Sequence, residues 1–189
     1  MDVVDAQLLE QVTRFDPEGL QALHNRFYAP VYRYVHFKVA DPQASEDLTS
    51  EVFVRVLEGL KRGTAWRTTP DAWIFGIARN VVVDHYRRRG RQPEVTLDES
   101  LIGSTGDGLA GQVMAGEQRQ ALMQAIDLLT DEQRDVILMR FIEGLSIKDV
   151  ADALNKTEGA IKGLQHRALN ALSEAMHRLW GESLAEDHL

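Results

Sequence analysis

Residues 143–172, EGLSIKDVADALNKTEGAIKGLQHRALNAL, leave this chain few folds to choose from. Ser146 is placed to cap a helix, with Asp149 three residues on in the position of a capping box. Ile147, Val150, Ala151 and Leu154 then recur at helical spacing and define one apolar face. Asn155 follows, a residue that tolerates the left-handed conformation that ends helices. Thr157 is the next N-cap, and Glu158 puts negative charge at the positive end of a second helix. Ile161, Leu164, Ala168 and Leu172 supply the buried stripe of that helix. Two helices crossing steeply need a small residue where their axes approach, and Ala151 fits. They need a turn residue that accepts positive φ, and Asn155 stands four positions later. They need a branched aliphatic to fill the angle between them, and Ile161 stands six further on. This frame is a helix-turn-helix.

In such a unit the second helix docks in the DNA major groove. Glu158, Lys162, Gln165, His166 and Arg167 would face outward, able to reach base edges or phosphates. The same spacing also fits a helical hairpin inside an ordinary all-α core, so the rest of the chain has to decide.

Charge along the chain bears on that question. The net charge of −8 looks wrong for a nucleic-acid binder until it is divided by position. Residues 61–92 hold 8 basic and 2 acidic side chains, whereas residues 93–135 hold 2 basic and 9 acidic. The first 60 residues are acidic, and residues 136–180 are close to neutral. Affinity for duplex DNA grows with the number of phosphates neutralised, so this chain alone should bind it weakly. It is built to read DNA while something else holds the complex together.

The remaining segments read as helices. Asp16-Pro17 and Asp41-Pro42 are helix breaks, and Pro30 implies a kink inside the apolar stripe of residues 20–39. Ser45 to Leu60, SEDLTSEVFVRVLEGL, is amphipathic: Leu48, Val52, Val56 and Leu60 form one face, widened by Phe53 and Leu57. Asp47, Thr49, Ser50, Glu51 and Arg55 form the polar side. The loop KRGTAWRTTPD follows, combining Lys61, Arg62 and Arg67 with Trp66. Cations interleaved with an aromatic suit single-stranded nucleic acid. Pro70 to Arg89 is a third long helix ending in RRRGR, where the dipole favours cations and where phosphate contact is a further reading. From Gln92 to Gly116 the pattern dissolves into an acidic, Gly- and Ser-rich linker. Helical periodicity returns at Glu117. Thr130 caps a helix with Gln133 completing the box, Gly144 stops it, and the last helix continues to about Trp180. No alternating strand pattern is found. The expected fold class is all-α: two small helical domains, residues 1–91 and 117–180, a linker at 92–116 and a short acidic tail at 181–189.

Catalysis is not expected. The six histidines, His24, His36, His85, His166, His177 and His188, have no metal-ligand spacing, and no phosphate loop or nucleophile motif is present. No cysteine is present, so disulfide and thiolate-zinc chemistry are ruled out, and no cofactor or metal is expected. No apolar run is long enough to span a membrane, and the acidic N-terminus lacks the order of a signal peptide, so a cytoplasmic location is expected.

Three stretches together resemble the extracytoplasmic-function group of bacterial sigma factors. EDLTSEVFVRVLEGL is similar to that family's polymerase-binding helix in region 2, and DAWIFGIARNVVVDHYRRR to its −10 recognition and melting helix. LTDEQRDVILMRFIEGLSIKDVADALNKTEGAIKGLQHRAL resembles its region 4. The resemblance runs from about Leu20 to Met176, in the family's order. It implies that Asp47, Leu48, Glu51, Val52, Phe53 and Arg55 meet the clamp coiled coil of core RNA polymerase, whose flap is a further contact. It implies that the loop from Lys61 to Pro70, with Arg62, Trp66 and Arg67, captures a flipped base of the −10 element beside Asn80, Asp84, Arg87 and Arg88. It implies that Ser146, Lys148, Thr157, Glu158, Lys162, Gln165, His166 and Arg167 bind the −35 element of promoter DNA. An anti-sigma factor is implied as a further partner. The rival readings are a free-standing helix-turn-helix regulator and a helical adaptor that touches only protein.

Overall fold

The computed structural model describes residues 3–66, 69–90 and 116–186, with side chains at 121–178 in the last span. Every regular element among them is helical: α1 (Val3–Thr13), α2 (Pro17–Val39), α3 (Pro42–Lys61), α4 (Pro70–Arg89), α5 (Gly116–Asp127), α6 (Asp131–Ile137), α7 (Ile147–Leu154) and α8 (Glu158–Glu186). The chain is all-α, in two helical domains, α1–α4 and α5–α8. The expected linker at 92–116 lies outside the described residues except for Gly116, which already opens α5, and the end of the expected tail lies outside them too.

Local chemistry sets most boundaries. Pro17, Pro42 and Pro70 each open a helix where the missing N–H would have had no partner. The Asp41 carboxylate accepts from the Ala44 N–H at 2.6 Å, so α3 starts three residues before the expected Ser45. Thr69 Oγ1 accepts from Ala72 N–H at 3.2 Å and caps α4. Thr130 and Gln133 form the expected capping box, each side chain bonding the other's backbone N–H. Past α6 the chain widens into a π-helical turn at Leu138–Ile142, closed by Glu143 N–H to Leu138 C=O at 3.0 Å, and Gly144 (φ 74°) ends it. Helix α2 runs on through Pro30, and α8 runs beyond the expected end near Trp180. A lone Gly181 costs a helix only about 1 kcal/mol, and no proline follows to stop it.

The core of the first domain is the set of faces read from periodicity. Leu48, Val52, Val56 and Leu60 of α3 pack with Phe27, Val31, Tyr34 and Val35 of α2 and with Ile74, Phe75, Ala78, Val81 and Val82 of α4. The cluster does not stop at the domain boundary. Val136, Leu138, Met139, Leu145, Val150, Ala151, Leu154, Ile161 and Leu164 of the second domain belong to the same continuous apolar body. Helix α7 lies along α4, the most extensive contact between helices in the described chain. The two domains are therefore docked on each other.

Candidate nucleic-acid interface

The helix-turn-helix forms as its residues dictate. Ser146 Oγ accepts from Asp149 N–H at 3.0 Å while the Asp149 carboxylate accepts from Ser146 N–H at 3.2 Å. Asn155 adopts the left-handed conformation (φ 52°, ψ 48°), and Lys156 N–H closes the turn onto Ala151 C=O at 2.8 Å. Thr157 Oγ1 accepts from Ala160 N–H at 3.2 Å and starts α8. Ala151 and Ile161 are buried where the helices cross. With that side of α8 committed inward, Glu158, Lys162, His166 and Arg167 are exposed on the other, as are Lys148 and Thr157 nearby. Gln165 is half-buried, and its Oε1 accepts from Arg140 Nε at 3.4 Å. Arg140 also donates to the Leu145 carbonyl, so it ties the loop before α7 to α8. Sequence reasoning missed this residue, because an arginine in an apolar run carries no signal of the turn it braces.

The second candidate surface is the seam between α3 and α4. Arg55 donates to Glu51 Oε1 at 2.6 Å and to Asp84 Oδ2 at 3.0 Å. Arg88 donates to the other Glu51 oxygen and Arg87 to the other Asp84 oxygen, both at 3.2 Å. Residues expected at a polymerase contact and residues expected at DNA thus form one ion-pair network. Partial burial works against the Glu51 anion, but hydrogen bonds from Arg55 and Arg88 outweigh it and hold the carboxyl below its ordinary value. Next to the same arginines, burial and then the charges of Arg89 and Arg88 push the His85 imidazole below its usual range. Asn80 is exposed on α4, and Lys61 at the end of α3 and Arg62 just after it are exposed, with Arg62 paired to Glu58 at 3.1 Å.

Three expected contacts do not lie at a surface. Trp66 is 3% exposed, its ring tilted against Trp73 with centroids 5.7 Å apart, so it plugs the fold and offers no stacking platform. Burying so large an aromatic is worth more to the fold than displaying it. Leu48 and Val52 are core residues on the apolar stripe of α3, with no surface to offer a partner. Arg67 lies outside the described residues. Of the other α3 residues expected at the polymerase, Asp47 is exposed and Glu51, Phe53 and Arg55 are half-buried. Beside them is an apolar patch that the sequence did not single out as a contact: Tyr28, Val54 and Leu57 are exposed, and the Phe53 ring lies 5.0 Å from His24 and 6.0 Å from Tyr28. Grouped exposed apolar side chains of this kind mark protein contacts.

Comparison with known proteins agrees with this geometry. The sigma-70 region 2 family matches residues 23–92, and sigma-70 region 4 matches residues 119–172. The ECF RNA polymerase sigma factor SigX of Bacillus subtilis is 31% identical over 182 residues, covering 91% of this chain and 90% of SigX. The ECF RNA polymerase sigma factor BldN of Streptomyces coelicolor is 32% identical over 171 residues, which are 90% of this chain but 65% of BldN. Among solved structures, CnrH in complex with the cytosolic domain of CnrY shares the fold at a TM-score of 0.65, with 21% identity over 92% of this chain and 97% of that one. The sigma factor RpoE of Bartonella quintana, in complex with the anti-sigma factor NepR, gives a TM-score of 0.60 at 21% identity over 79% of this chain and 92% of that one. With both sigma-70 regions matched in order and one relative matched nearly end to end, the chain belongs to the ECF family of RNA polymerase sigma factors.

Proposed function

We propose that this sigma factor directs core RNA polymerase to promoters through two separate DNA contacts and one protein contact, without catalysis of its own. The exposed face of α8, Glu158, Lys162, Gln165, His166 and Arg167, reads the −35 duplex, with Ser146, Lys148 and Thr157 at the flanking backbone. The loop cations Lys61 and Arg62, with Arg67, and the α4 residues Asn80, Arg87 and Arg88 engage the −10 element, with Asp84 orienting the arginines. Asp47, Glu51, Phe53 and Arg55 meet the polymerase, joined by Tyr28, Val54 and Leu57. A regulatory partner of the kind seen with the CnrH and RpoE folds is a further expectation, as is action in the cytoplasm, where polymerase and promoter DNA meet. Among the described residues no helix is long and apolar enough to cross a membrane.

The observation that carries this reading is the division of labour: the reading helix and the basic end of α4 sit on different domains, each with an exposed polar face. Run-off transcription with purified core polymerase tests it. Promoter-dependent transcripts appear only when the protein is added. Absence of any such transcript, with footprinting of duplex DNA by the protein alone at nanomolar concentration, would establish a free-standing regulator instead.

A further inference from the structure

The turn of the helix-turn-helix carries a cation that the surfaces described so far leave unused. Asn155, Lys156 and Thr157 join α7 to α8. Asn155 makes the left-handed turn and Thr157 caps α8, whereas the Lys156 side chain serves neither helix end. Its backbone N–H is bonded to the Ala151 carbonyl at 2.8 Å, which fixes the main chain while the side chain leaves the turn. The ammonium lies 2.8 Å from the carboxylate of Glu132, in the first turn of α6. Both side chains reach solvent, at 29% exposure for Lys156 and 47% for Glu132. The hydrogen bond from Lys156 holds the Glu132 carboxyl below its ordinary value, against a little burial, and the charges of Lys156, Arg79 and Arg167 add to it. Arg167 is an exposed cation of the α8 face proposed to read DNA, so this carboxylate stands at the edge of that face.

Helix α6 does not depend on the pair. Its N-terminus is closed by the box of Thr130 and Gln133, and Asp131 supplies negative charge in the same turn. A partly exposed ion pair contributes little to a fold, so a change of partner costs little. In a bound helix-turn-helix one helix crosses the DNA backbone and the next enters the groove, which brings the turn between them alongside phosphates. A lysine ammonium is a point charge on a flexible stem, able to follow a phosphate as well as a carboxylate. On the promoter reading above, we propose that Lys156 is a phosphate contact beside the −35 element, and that Glu132 holds its ammonium in the free chain until a DNA phosphate takes the carboxylate's place. Phosphates carry no sequence, so Glu132 lowers affinity for every duplex alike and leaves promoter preference as it is.

Affinity over a salt series tests the exchange. The holoenzyme formed with purified core polymerase is measured on a promoter found by run-off transcription and on an unrelated duplex, and the free chain on the unrelated duplex at low salt. Lys156→Gln lowers the slope of log affinity against log salt by about one unit on each. Glu132→Gln tightens binding about two- to fivefold, the range of an exposed ion pair, and does so only when Lys156 is present. Neither variant changes the ratio of promoter to unrelated affinity, and circular dichroism shows unchanged helicity in both. An unchanged slope for Lys156→Gln overturns the phosphate contact. A gain from Glu132→Gln that is equally large in the Lys156→Gln background makes Glu132 a source of general repulsion and overturns the exchange. A wild-type holoenzyme with no preference for any promoter defeats the sigma-factor reading instead, and the exchange is then judged on the free chain with the unrelated duplex.

Discussion

The ammonium of Lys38 on α2 lies 2.9 Å from the carboxylate of Asp135 on α6, and both side chains are almost completely removed from water. The two come from different domains, so the pair exists only in the docked chain. The Tyr34 hydroxyl completes the site, and burial, with Asp135 beside it, pushes its pKa well above the ordinary tyrosine range. A buried pair of this sort contributes little net stability compared with well-packed apolar side chains, but breaking one half of it is costly. Its role is to specify one docking register.

Asp135→Ala should therefore cost about 3 kcal/mol in the docked chain, because it leaves buried Lys38 only the more exposed Asp131 and takes a partner from Tyr34 and Arg79. The double replacement Lys38→Met with Asp135→Leu should cost far less than the single one. Urea unfolding of the four members of this cycle, read by tryptophan fluorescence, checks the prediction. Additive losses would show that the pair does not act as a unit.

Trp66→Ala should behave as a core truncation and not as the loss of a DNA contact. Large aromatic-to-alanine changes in a core cost about 3–5 kcal/mol. A clear fall in Tm is expected for the protein free of DNA, together with loosening of Trp73, on which the ring packs. An unchanged Tm combined with a specific defect on single-stranded −10 DNA would return Trp66 to the surface.

That reversal marks where the sequence stopped being legible. The helix-turn-helix was readable because its determinants are local: the cap at Ser146, the left-handed Asn155 and the spacing of Ala151 and Ile161 act within one or two turns. The apolar stripe through Leu48 and Val52 was equally clear, and its periodicity outweighed the partner contact that the family resemblance suggested for them. Trp66 was misplaced because a tryptophan among cations looks the same in sequence whether it stacks on a base or on Trp73. The pairings of Lys38 with Asp135 and Arg33 with Glu143 were invisible, since charge complementarity across a linker leaves no periodic trace.

Asp127 gives a pH dependence with a defined sign. Burial raises its pKa to about 6, against the opposing charge of Arg134, and it closes α5, where the helix dipole also disfavours an anion. Because the folded value lies above the unfolded one, this group favours the fold when protonated. Its contribution is fully present below about pH 4 and is lost as pH rises through about 6. Asp127→Asn should flatten that part of the stability profile and raise stability at neutral pH by about 1 kcal/mol, the partial exposure of the carboxylate having been allowed for. Thermal melts of both proteins from pH 4 to pH 8 test it, and parallel profiles would refute it.

On α8, proposed above to read the −35 duplex, Lys162→Ala or Gln165→Ala should weaken recognition of that element by about 1–3 kcal/mol if the side chain meets a base edge. A side chain that meets only phosphate should instead lower the slope of log affinity against log salt by about one unit, without changing sequence preference. Gln165 carries a second expectation, because its Oε1 is held by Arg140. Arg140→Ala should reproduce part of the Gln165 defect although Arg140 itself touches no DNA. Binding of polymerase holoenzyme to matched and mutated −35 sequences over a salt series separates these cases. A full Gln165 effect with a silent Arg140→Ala would show that the contact between them is incidental.

The docked arrangement can also be locked chemically. An ideal Cβ on Gly76 would lie 3.6 Å from the Ala153 Cα, which puts the two Cα atoms no more than about 5 Å apart, within the span of a disulfide once the helices give by a few tenths of an ångström at the Ala153 carbonyl. Gly76→Cys with Ala153→Cys, in a chain with no other cysteine, should oxidise to a single intramolecular cross-link that runs faster on a non-reducing gel. If promoter engagement needs α4 and α7 to part, the oxidised protein should fail to support promoter-dependent transcription with core polymerase. Reduction should restore it, because each substitution alone leaves the exposed face of α8 and the arginines of α4 unchanged. The comparison of one sample before and after reduction removes any contribution from misfolding. Equal transcription in the two states would mean that the sigma factor works with α4 and α7 still in contact.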